Sequence, residues 1–241
     1  MAELHQSAWR LPSRVKIVEV GPRDGLQNEP TFIPTETKLE LIHRLVDAGV
    51  TYIEAASFVS PKWVPQMADS TAVMQHLSPR DGVTFAALVP NMKGLESALA
   101  VGCQEIAVFA SASEGFSQKN INCSVEESLE RFVPVIAGAK AANVRVRGYV
   151  SCVLGCPFDG FIEPDRVAQV AARLYEMGCY EISLGDTIGA GTPLKTQAML
   201  EACSRSVPIG ALAGHFHDTY GMLSPIFFPP CNAASRPSIA P

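Results

Sequence analysis

The sequence lacks the long apolar runs and the charge imbalance that are typical of membrane and nucleic-acid-binding proteins. No stretch of about 18 consecutive apolar residues occurs, so no segment is predicted to span a bilayer. The 19 basic and 24 acidic residues give a formal net charge of −5, which argues against a general electrostatic attraction to nucleic acid or to anionic membranes. With 47% hydrophobic and 18% charged residues, the chain is predicted to form a packed globular domain.

A disulfide framework and a nucleotide-binding glycine motif are also missing. The seven cysteines are an odd number scattered through apolar segments, which favours a reducing compartment. Cys152 and Cys156 flank VLG without CxxC spacing, and small buried thiols are the preferred interpretation over a redox or metal pair. The GAGTP segment matches neither GxGxxG nor GxxxxGK[ST]. Residues 1–14 form an N-terminal extension without the apolar core of a secretory signal, so a cytoplasmic location is predicted.

Short β-rich runs recur along the chain, and each is followed by a longer segment with helical spacing of its apolar residues. This pattern predicts an α/β protein of repeated βα units. Seven strands are predicted: Val15–Val20, Tyr52–Ala56, Val83–Val89, Glu105–Phe109, Val144–Val150, Tyr180–Leu184 and Ala211–Phe216. Three helices carry clear end signals: Thr35–Ala48 before Gly49, Ser124–Ala142 with a Ser124/Glu127 capping box, and Glu163–Met177 before Gly178.

The placement of polar clusters favours a closed barrel over an open doubly wound sheet. GPRDGLQNE, ASFVSP, GDTIG and HFHD stand at the ends of the first, second, sixth and seventh predicted strands. In a barrel these strand ends converge on one mouth, whereas an open sheet spreads them along an edge. We therefore predict a TIM (β/α)8-type barrel over residues 15–221, with seven strands recognisable and the eighth unit missing.

Two histidines and an aspartate form a candidate metal site. His215 and His217 are two residues apart on a predicted strand, so their side chains point to the same face. Asp24, in the turn after the first strand, would join them at the barrel mouth. This set of one oxygen and two nitrogen ligands suits Mg²⁺, Mn²⁺ or Zn²⁺. A hydrogen-bonded histidine pair and a surface Arg23–Asp24 ion pair are the structural alternatives.

Other polar residues near strand ends are candidates with equally plain structural alternatives. Glu54 lies in an otherwise apolar run and needs either a salt bridge or a polar cavity. Asp186 follows the sixth strand in a turn, where aspartate is common for conformational reasons. Asn120 and Ser57 are weaker candidates, because such residues are more often turn or capping residues than ligands.

Together these motifs resemble those of the hydroxymethylglutaryl-CoA lyase family. The resemblance runs from about Val15 to Gly221, and it rests on GPRDGLQNEP, YIEAASFVSPKWVPQMAD, KNIN, GCPFDG, EISLGDTIGAGTP and HFHDTYG. It implies a barrel that cleaves the acyl-CoA substrate to acetoacetate and acetyl-CoA in leucine breakdown with Mg²⁺ or Mn²⁺, Zn²⁺ being less favoured. A homodimer is compatible with it, and no nucleic acid or membrane partner is expected.

The resemblance also implies roles for individual residues. Asp24, His215 and His217 match the family's metal ligands, and Arg23 matches the arginine that steadies the thioester carbonyl as it becomes an enolate. Arg23, Asp24, Glu54 and His215 are thus the predicted catalytic residues, with His215 as the base that takes the hydroxyl proton. The predicted substrate contacts are Arg23, Gln27, Ser57, Asn120, Asp186 and Thr187.

The sequence departs from the family after Gly221. A helix, an eighth strand and a glycine-rich loop carrying a catalytic cysteine and an asparagine ligand are expected there. Residues 222–241 instead read MLSPIFFPPCNAASRPSIAP, a proline-rich tail that is predicted to be irregular and indicates an aberrant or truncated C-terminus. Cys231 and Asn232 are of the right residue types, but their surroundings do not match, so neither role is transferred.

Three functions remain open at this stage. The first is the lyase, active if the tail or another chain completes the site. The second is an inactive remnant that binds metal or acyl-CoA, which Mn²⁺ binding without product formation would reveal. The third is a related aldolase or Claisen-type synthase acting on another acyl-CoA, which a panel of thioesters and 2-oxo acids would reveal.

Overall fold

The computed structural model describes residues 14–223 and 238–240, in which strands and helices alternate as the sequence predicts. The strands are β1 (Lys16–Ile17), β2 (Tyr52–Ser57), β3 (Thr84–Leu88), β4 (Glu105–Ser111), β5 (Arg145–Ser151), β6 (Glu181–Asp186), β7 (Leu212–Phe216) and β8 (Ser238–Ala240). The α-helices are α1 (Thr35–Asp47), α2 (Ser70–His76), α3 (Met92–Ala100), α4 (Glu114–Ile121), α5 (Val125–Ala141), α6 (Pro164–Met177) and α7 (Pro193–Ser204). All seven predicted strands are present.

The sheet is parallel and closes on itself. Its strand order is β1-β8-β7-β6-β5-β4-β3-β2. Glu19, just after β1, forms a parallel bridge with Ile53 of β2. The backbone N–H of Glu19 donates to the Tyr52 carbonyl at 3.0 Å, and the N–H of Glu54 donates to the Glu19 carbonyl at 2.8 Å. These bonds join the two ends of the strand order, which confirms the barrel type of fold.

The eighth strand position is filled by three residues of the C-terminal tail. Ser238 pairs with Lys16 of β1 and with Ala213 of β7, so neither neighbouring strand is left without a partner there. Residues Ser238–Ala240 of the tail, which the sequence predicts to be irregular, thus form a short strand. Backbone groups can complete a ladder whatever the side chains, and three residues are too few to show the alternation that predicts a strand. Residues 1–13, 224–237 and 241 lie outside the described part of the chain.

The helix end signals read from the sequence are present in the structure. The Ser124 hydroxyl accepts from the Glu127 N–H, and the Glu127 carboxylate accepts from the Ser124 N–H, so the capping box begins α5 as predicted. Gly178 ends α6 at φ 114°, a left-handed conformation that favours glycine. These caps fix where each helix returns the chain to the next strand.

Paired charges fill the lower barrel interior, where the strands begin. We call this set the lower cluster; it consists of Tyr52, Glu105, Arg145, Arg147, Tyr180 and Glu181. The hydroxyls of Tyr52 and Tyr180 both donate to the fully buried Glu105 carboxylate, which also pairs with Arg145. Arg147, likewise fully buried, lies 2.5 Å from Glu181 Oε1 through Nη1. Each buried charge therefore has an opposite charge beside it.

Candidate active site

The predicted metal-binding residues come together at the upper end of the barrel. Asp24 lies in a π-helical turn, Gly21–Gly25, that begins four residues after the end of β1, while His215 lies in β7 and His217 just beyond it. One ligand atom from each of the three lies within 4.8 Å of the others. Residues nearly two hundred positions apart therefore meet at one point, as barrel closure predicts.

The orientation of His217 is set by a backbone carbonyl. Its Nδ1 lies 2.9 Å from the carbonyl oxygen of Thr187, which can only accept a hydrogen bond. Nδ1 therefore carries the proton, and the lone pair lies on Nε2. That Nε2 lies 3.3 Å from Nε2 of His215. A carbonyl that fixes the tautomer in this way is a common support for a metal-ligating histidine.

His215 is held neutral by its surroundings. It is buried in the barrel, and its Nε2 lies 3.7 Å from Asp24 Oδ2. Burial lowers the pKa of His215 to about 4, with the charges of His217 and Arg23 acting in the same direction against Asp24. The imidazole is therefore uncharged at neutral pH, and it can offer a lone pair to a cation or to a proton.

The donor set fits a divalent cation. One carboxylate oxygen and two imidazole nitrogens point at a common centre, and this combination suits Mn²⁺ and Zn²⁺ well and Mg²⁺ through the carboxylate. Without a cation, two imidazole Nε2 atoms face each other at 3.3 Å beside a carboxylate. The three side chains could thus act as metal ligands, as the sequence predicts.

Arg23 is fixed beside this donor set by two carboxylates. Its Nε donates to Glu54 Oε1, and its Nη1 donates to Asp24 Oδ1 at 2.6 Å. Burial alone would lower the pKa of Arg23, but the carboxylates of Glu54 and Asp24 outweigh burial and raise it. Among the hydrogen bonds of residues 14–223, none uses Nη2 of Arg23. The guanidinium is permanently charged, held in one orientation, and has a donor left for another oxygen.

Tyr149 of β5 is a member of the site that sequence reasoning missed. Its hydroxyl donates to Glu54 Oε2 at 2.7 Å, and its ring lies edge-on to His215 with centroids 6.4 Å apart. The signal was the alternation of Arg145, Arg147 and Tyr149 in RVRGYVS, which places three polar side chains on one face of a buried strand. In a barrel strand, the inward-facing residue closest to the C-terminal end lies nearest the mouth, and here that residue of the three is Tyr149.

The remaining predicted residues divide into two groups. Gln27 donates from Nε2 to Asp24 Oδ1 at 3.0 Å, and Thr187 supports His217 through its carbonyl, so both belong to the site. Asp186 uses its carboxylate on the backbone N–H groups of residues 190 and 191, which is the turn role. The backbone N–H of Ser57 donates to Ser70 Oγ, and the Ser57 carbonyl accepts from the same hydroxyl. Asn120 is exposed at the end of α4.

Comparison with known proteins places this arrangement in one family. The HMGL-like family model matches residues 14–223. The chain belongs to the HMGL-like family. Within it, the hydroxymethylglutaryl-CoA lyase of Pseudomonas mevalonii is 60% identical over 208 residues, covering 86% of this chain and 69% of that protein. The 3-hydroxy-3-isohexenylglutaryl-CoA/hydroxy-methylglutaryl-CoA lyase of Pseudomonas aeruginosa is 61% identical over 211 residues, covering 88% and 70%.

A solved HMGL-like structure has the same fold. The crystal structure of hydroxymethylglutaryl-CoA lyase from Pseudomonas aeruginosa superposes with a TM-score of 0.92 at 56% identity, covering 95% of this chain and 76% of that one. The family and the barrel predicted from sequence are thereby confirmed. No helix within residues 14–223 has the length and apolar character needed to cross a bilayer.

Proposed function

We propose that this chain cleaves 3-hydroxy-3-methylglutaryl-CoA to acetoacetate and acetyl-CoA with the help of a divalent cation. The observation that carries the proposal is the convergence of Asp24, His215 and His217 beside a fixed Arg23, in a chain that belongs to the HMGL-like family. Two relatives of about 60% identity are lyases for this thioester by name.

The cation site would bind the oxygen-rich end of the substrate. Asp24, His215 and His217 would hold Mg²⁺ or Mn²⁺. When bound, the cation supplies positive charge beside the tertiary hydroxyl and a carboxylate of the substrate, which lowers the pKa of that hydroxyl. Gln27, bonded to Asp24 Oδ1, would keep the carboxylate turned toward the site.

Arg23 would stabilise the charge that develops on the thioester. Carbon–carbon cleavage leaves the bonding electrons on the acetyl-CoA fragment, where they are delocalised onto the carbonyl oxygen. Arg23 is held by Glu54 and Asp24 through Nε and Nη1, so Nη2 can donate to that oxygen. A donor fixed before the reaction costs no reorganisation when the charge appears, and such donors are effective in a dry site.

The base that takes the hydroxyl proton must be uncharged or anionic at neutral pH. His215 meets this condition, since its pKa is lowered to about 4 chiefly by burial. Its Nε2 lone pair cannot bind a cation and a proton at the same moment, so the predicted roles of ligand and base compete at that atom. We therefore propose two alternative roles for His215: it is a cation ligand, or it is the base while Asp24 and His217 hold the cation.

Release of acetyl-CoA also needs an acid that protonates the terminal carbon. The sequence offers Cys231 as a residue of suitable type, and it lies outside the described part of the chain, as does Asn232. We therefore propose Cys231 as the first residue to test. Replacement by serine keeps the size and removes the acidic thiol, so a large fall in kcat is the result that would support an acid role.

The primary experiment measures acetoacetate release from 3-hydroxy-3-methylglutaryl-CoA by the purified 241-residue chain with Mg²⁺ or Mn²⁺. The matched control is Asp24→Ala, which removes one of the three proposed ligands. Turnover by the wild type that the substitution abolishes is the expected result. A folded wild-type chain that binds Mn²⁺ and forms no product would instead indicate a metal-binding remnant.

Substrate range is best tested on a panel of thioesters. One relative is named for both the methyl and the isohexenyl substrate, so both belong in the panel, together with 2-oxo acids that a Claisen-type synthase would use. The predicted homodimer, the cytoplasmic location and the role in leucine degradation remain proposals. Size-exclusion chromatography with light scattering would test the first of them.

A further inference from the structure

We infer that Tyr149 is a positioning residue of the active site, acting on Arg23 through the Glu54 carboxylate. The inference rests on the proposed lyase function, and it adds a residue for which that function gives no role. Tyr149 would set the orientation of the arginine that meets the thioester, without itself touching the substrate.

The contacts of Glu54 show why one hydroxyl matters. Glu54 is fully buried, and its two carboxylate oxygens have different partners: Oε1 accepts from Arg23 Nε, and Oε2 accepts from the Tyr149 hydroxyl at 2.7 Å. The phenol thus prevents the carboxylate from turning both oxygens toward Arg23. This leaves Nη1 of Arg23 on Asp24 at 2.6 Å.

The ring of Tyr149 has two guanidinium groups and one imidazole ring as neighbours. The guanidinium carbon of Arg23 lies 5.8 Å from the ring centroid, and that of Arg147 lies 5.7 Å from it. The His215 ring meets it edge-on. The hydroxyl donates to Glu54, and the ring has two guanidinium groups and one imidazole as neighbours, which agrees with a positioning role.

The Tyr149 phenol is protonated at neutral pH, because its pKa is raised above the ordinary value. Burial raises the pKa of Tyr149 well above its ordinary value, and the adjacent Glu54 carboxylate raises it further. Tyr149 therefore always donates, and Glu54 Oε2 always has a donor. If the hydroxyl is removed, Oε2 becomes a buried acceptor without its partner, while Oε1 still accepts from Arg23.

The chain contains a matched control. Tyr180 also donates its hydroxyl to a buried glutamate, Glu105, but it does so in the lower cluster, away from Arg23 and the proposed metal ligands. Tyr149→Phe and Tyr180→Phe each delete one hydroxyl from a Tyr–Glu pair inside the same barrel. A loss of function that came only from a loosened barrel would be expected in both variants.

The first measurement is the ¹H–¹⁵Nε resonance of Arg23, assigned by its disappearance in Arg23→Lys and recorded without substrate. We expect this resonance to shift in Tyr149→Phe and to stay in place in Tyr180→Phe. This result does not depend on catalysis, so it tests the inference even if the chain proves inactive as a lyase. An unchanged Arg23 resonance in Tyr149→Phe would overturn the inference.

The second measurement separates kcat from KM for 3-hydroxy-3-methylglutaryl-CoA. Because a misplaced catalytic group about 1 Å from its proper position can cost about 100-fold, we expect Tyr149→Phe to lower kcat roughly 10- to 100-fold with KM changed less than threefold. The double variant Tyr149→Phe/Glu54→Gln should be no slower than Glu54→Gln by more than about twofold, because both act through one contact. Multiplying losses, or an equal loss in Tyr180→Phe, would overturn the inference.

Discussion

The two ends of the barrel interior contain the same kinds of side chain in opposite circumstances. In the lower cluster, Glu105 accepts from two tyrosine hydroxyls and pairs with Arg145. At the mouth, Glu54 accepts from one tyrosine and pairs with Arg23. In both places a fully buried carboxylate is neutralised by a neighbouring arginine and oriented by a phenol.

The two arginines, Arg145 and Arg23, differ in their exposure and in their neighbours. Arg145 lies at the open lower end, with 56% of its side chain exposed, and water can replace its partner. Arg23 is buried, and it adjoins Asp24, whose side chain is 26% exposed at the mouth next to two histidines. The same ion pair can therefore serve stability at one end and catalysis at the other, in agreement with the general division between the two faces of a barrel.

Among the substitutions that compare the two ends, the largest effect on activity is expected for Arg23→Gln. Removing one preorganised donor to a developing oxyanion typically costs about 10²- to 10³-fold in kcat, and glutamine cannot span both carboxylates. Steady-state kinetics with the acyl-CoA substrate measures the loss. Circular dichroism should show a folded protein. A folded Arg23→Gln variant with wild-type kcat would remove Arg23 from the proposed mechanism and end the functional contrast between the two ends.

In the lower cluster, we expect Glu105→Ala to act on stability. It takes the acceptor from the hydroxyls of Tyr52 and Tyr180, and each buried donor left unpaired costs about 1–3 kcal/mol. Tyr52 is buried but Tyr180 is only half-buried, so we expect about 3 kcal/mol in total, in the lower half of the range for two donors. For a chain of this size each kcal/mol lowers Tm by roughly 2–4 °C, so a fall of roughly 6–12 °C is expected in thermal unfolding. Per folded molecule, kcat should stay within twofold of wild type. A kcat loss like that of Arg23→Gln would mean that the lower cluster also controls the chemistry.

The proposed metal ligands at the upper end could be predicted from the sequence, whereas the residues that orient their neighbours could not. The alternation of His215 and His217, and the placement of Asp24 after the first strand, are local patterns, and barrel closure brings them together whatever the loop details. Tyr149 was not predicted, because the alternation in RVRGYVS shows only which face of β5 it shares and does not identify Glu54 as its partner. Its role depends on register between strands that are not neighbours in sequence.

The roles predicted for Asp186 and Asn120 in substrate binding remain predictions. Asp186 and Asn120 follow strands or end helices, where such residues commonly satisfy the backbone, and the structure shows Asp186 in that role. Strand β8 could not be read from Ser238–Ala240, since three residues carry no period. The strand forms because backbone N–H and C=O groups of β1 and β7 would otherwise lack partners at this position, which is apparent only in the assembled barrel.

Metal addition should stabilise the upper end without involving the lower cluster. A ligand that binds only the folded state at 100 times its Kd stabilises by about 2.7 kcal/mol, which corresponds to roughly 5–11 °C in Tm. We expect Mn²⁺ to raise Tm by this order in the wild type and in Tyr180→Phe. His217→Ala lacks one proposed ligand, so the rise should largely disappear. The same rise in His217→Ala would show that Mn²⁺ binds somewhere other than this donor set.

The smallest effect is expected for Arg145→Gln, the lower counterpart of Arg23→Gln. Arg145 also pairs with a buried carboxylate, but its side chain is 56% exposed, so water already solvates the guanidinium and weakens the ion pair. Exposed ion pairs contribute about 0–1 kcal/mol, and the two tyrosine hydroxyls still hold Glu105. We expect Tm to fall by no more than about 4 °C and kcat to be unchanged. If Arg145→Gln destabilised the chain as strongly as Glu105→Ala, the arginine would contribute more to the stability of the lower cluster than the tyrosine hydroxyls, and the two ends would be more alike than their exposure indicates.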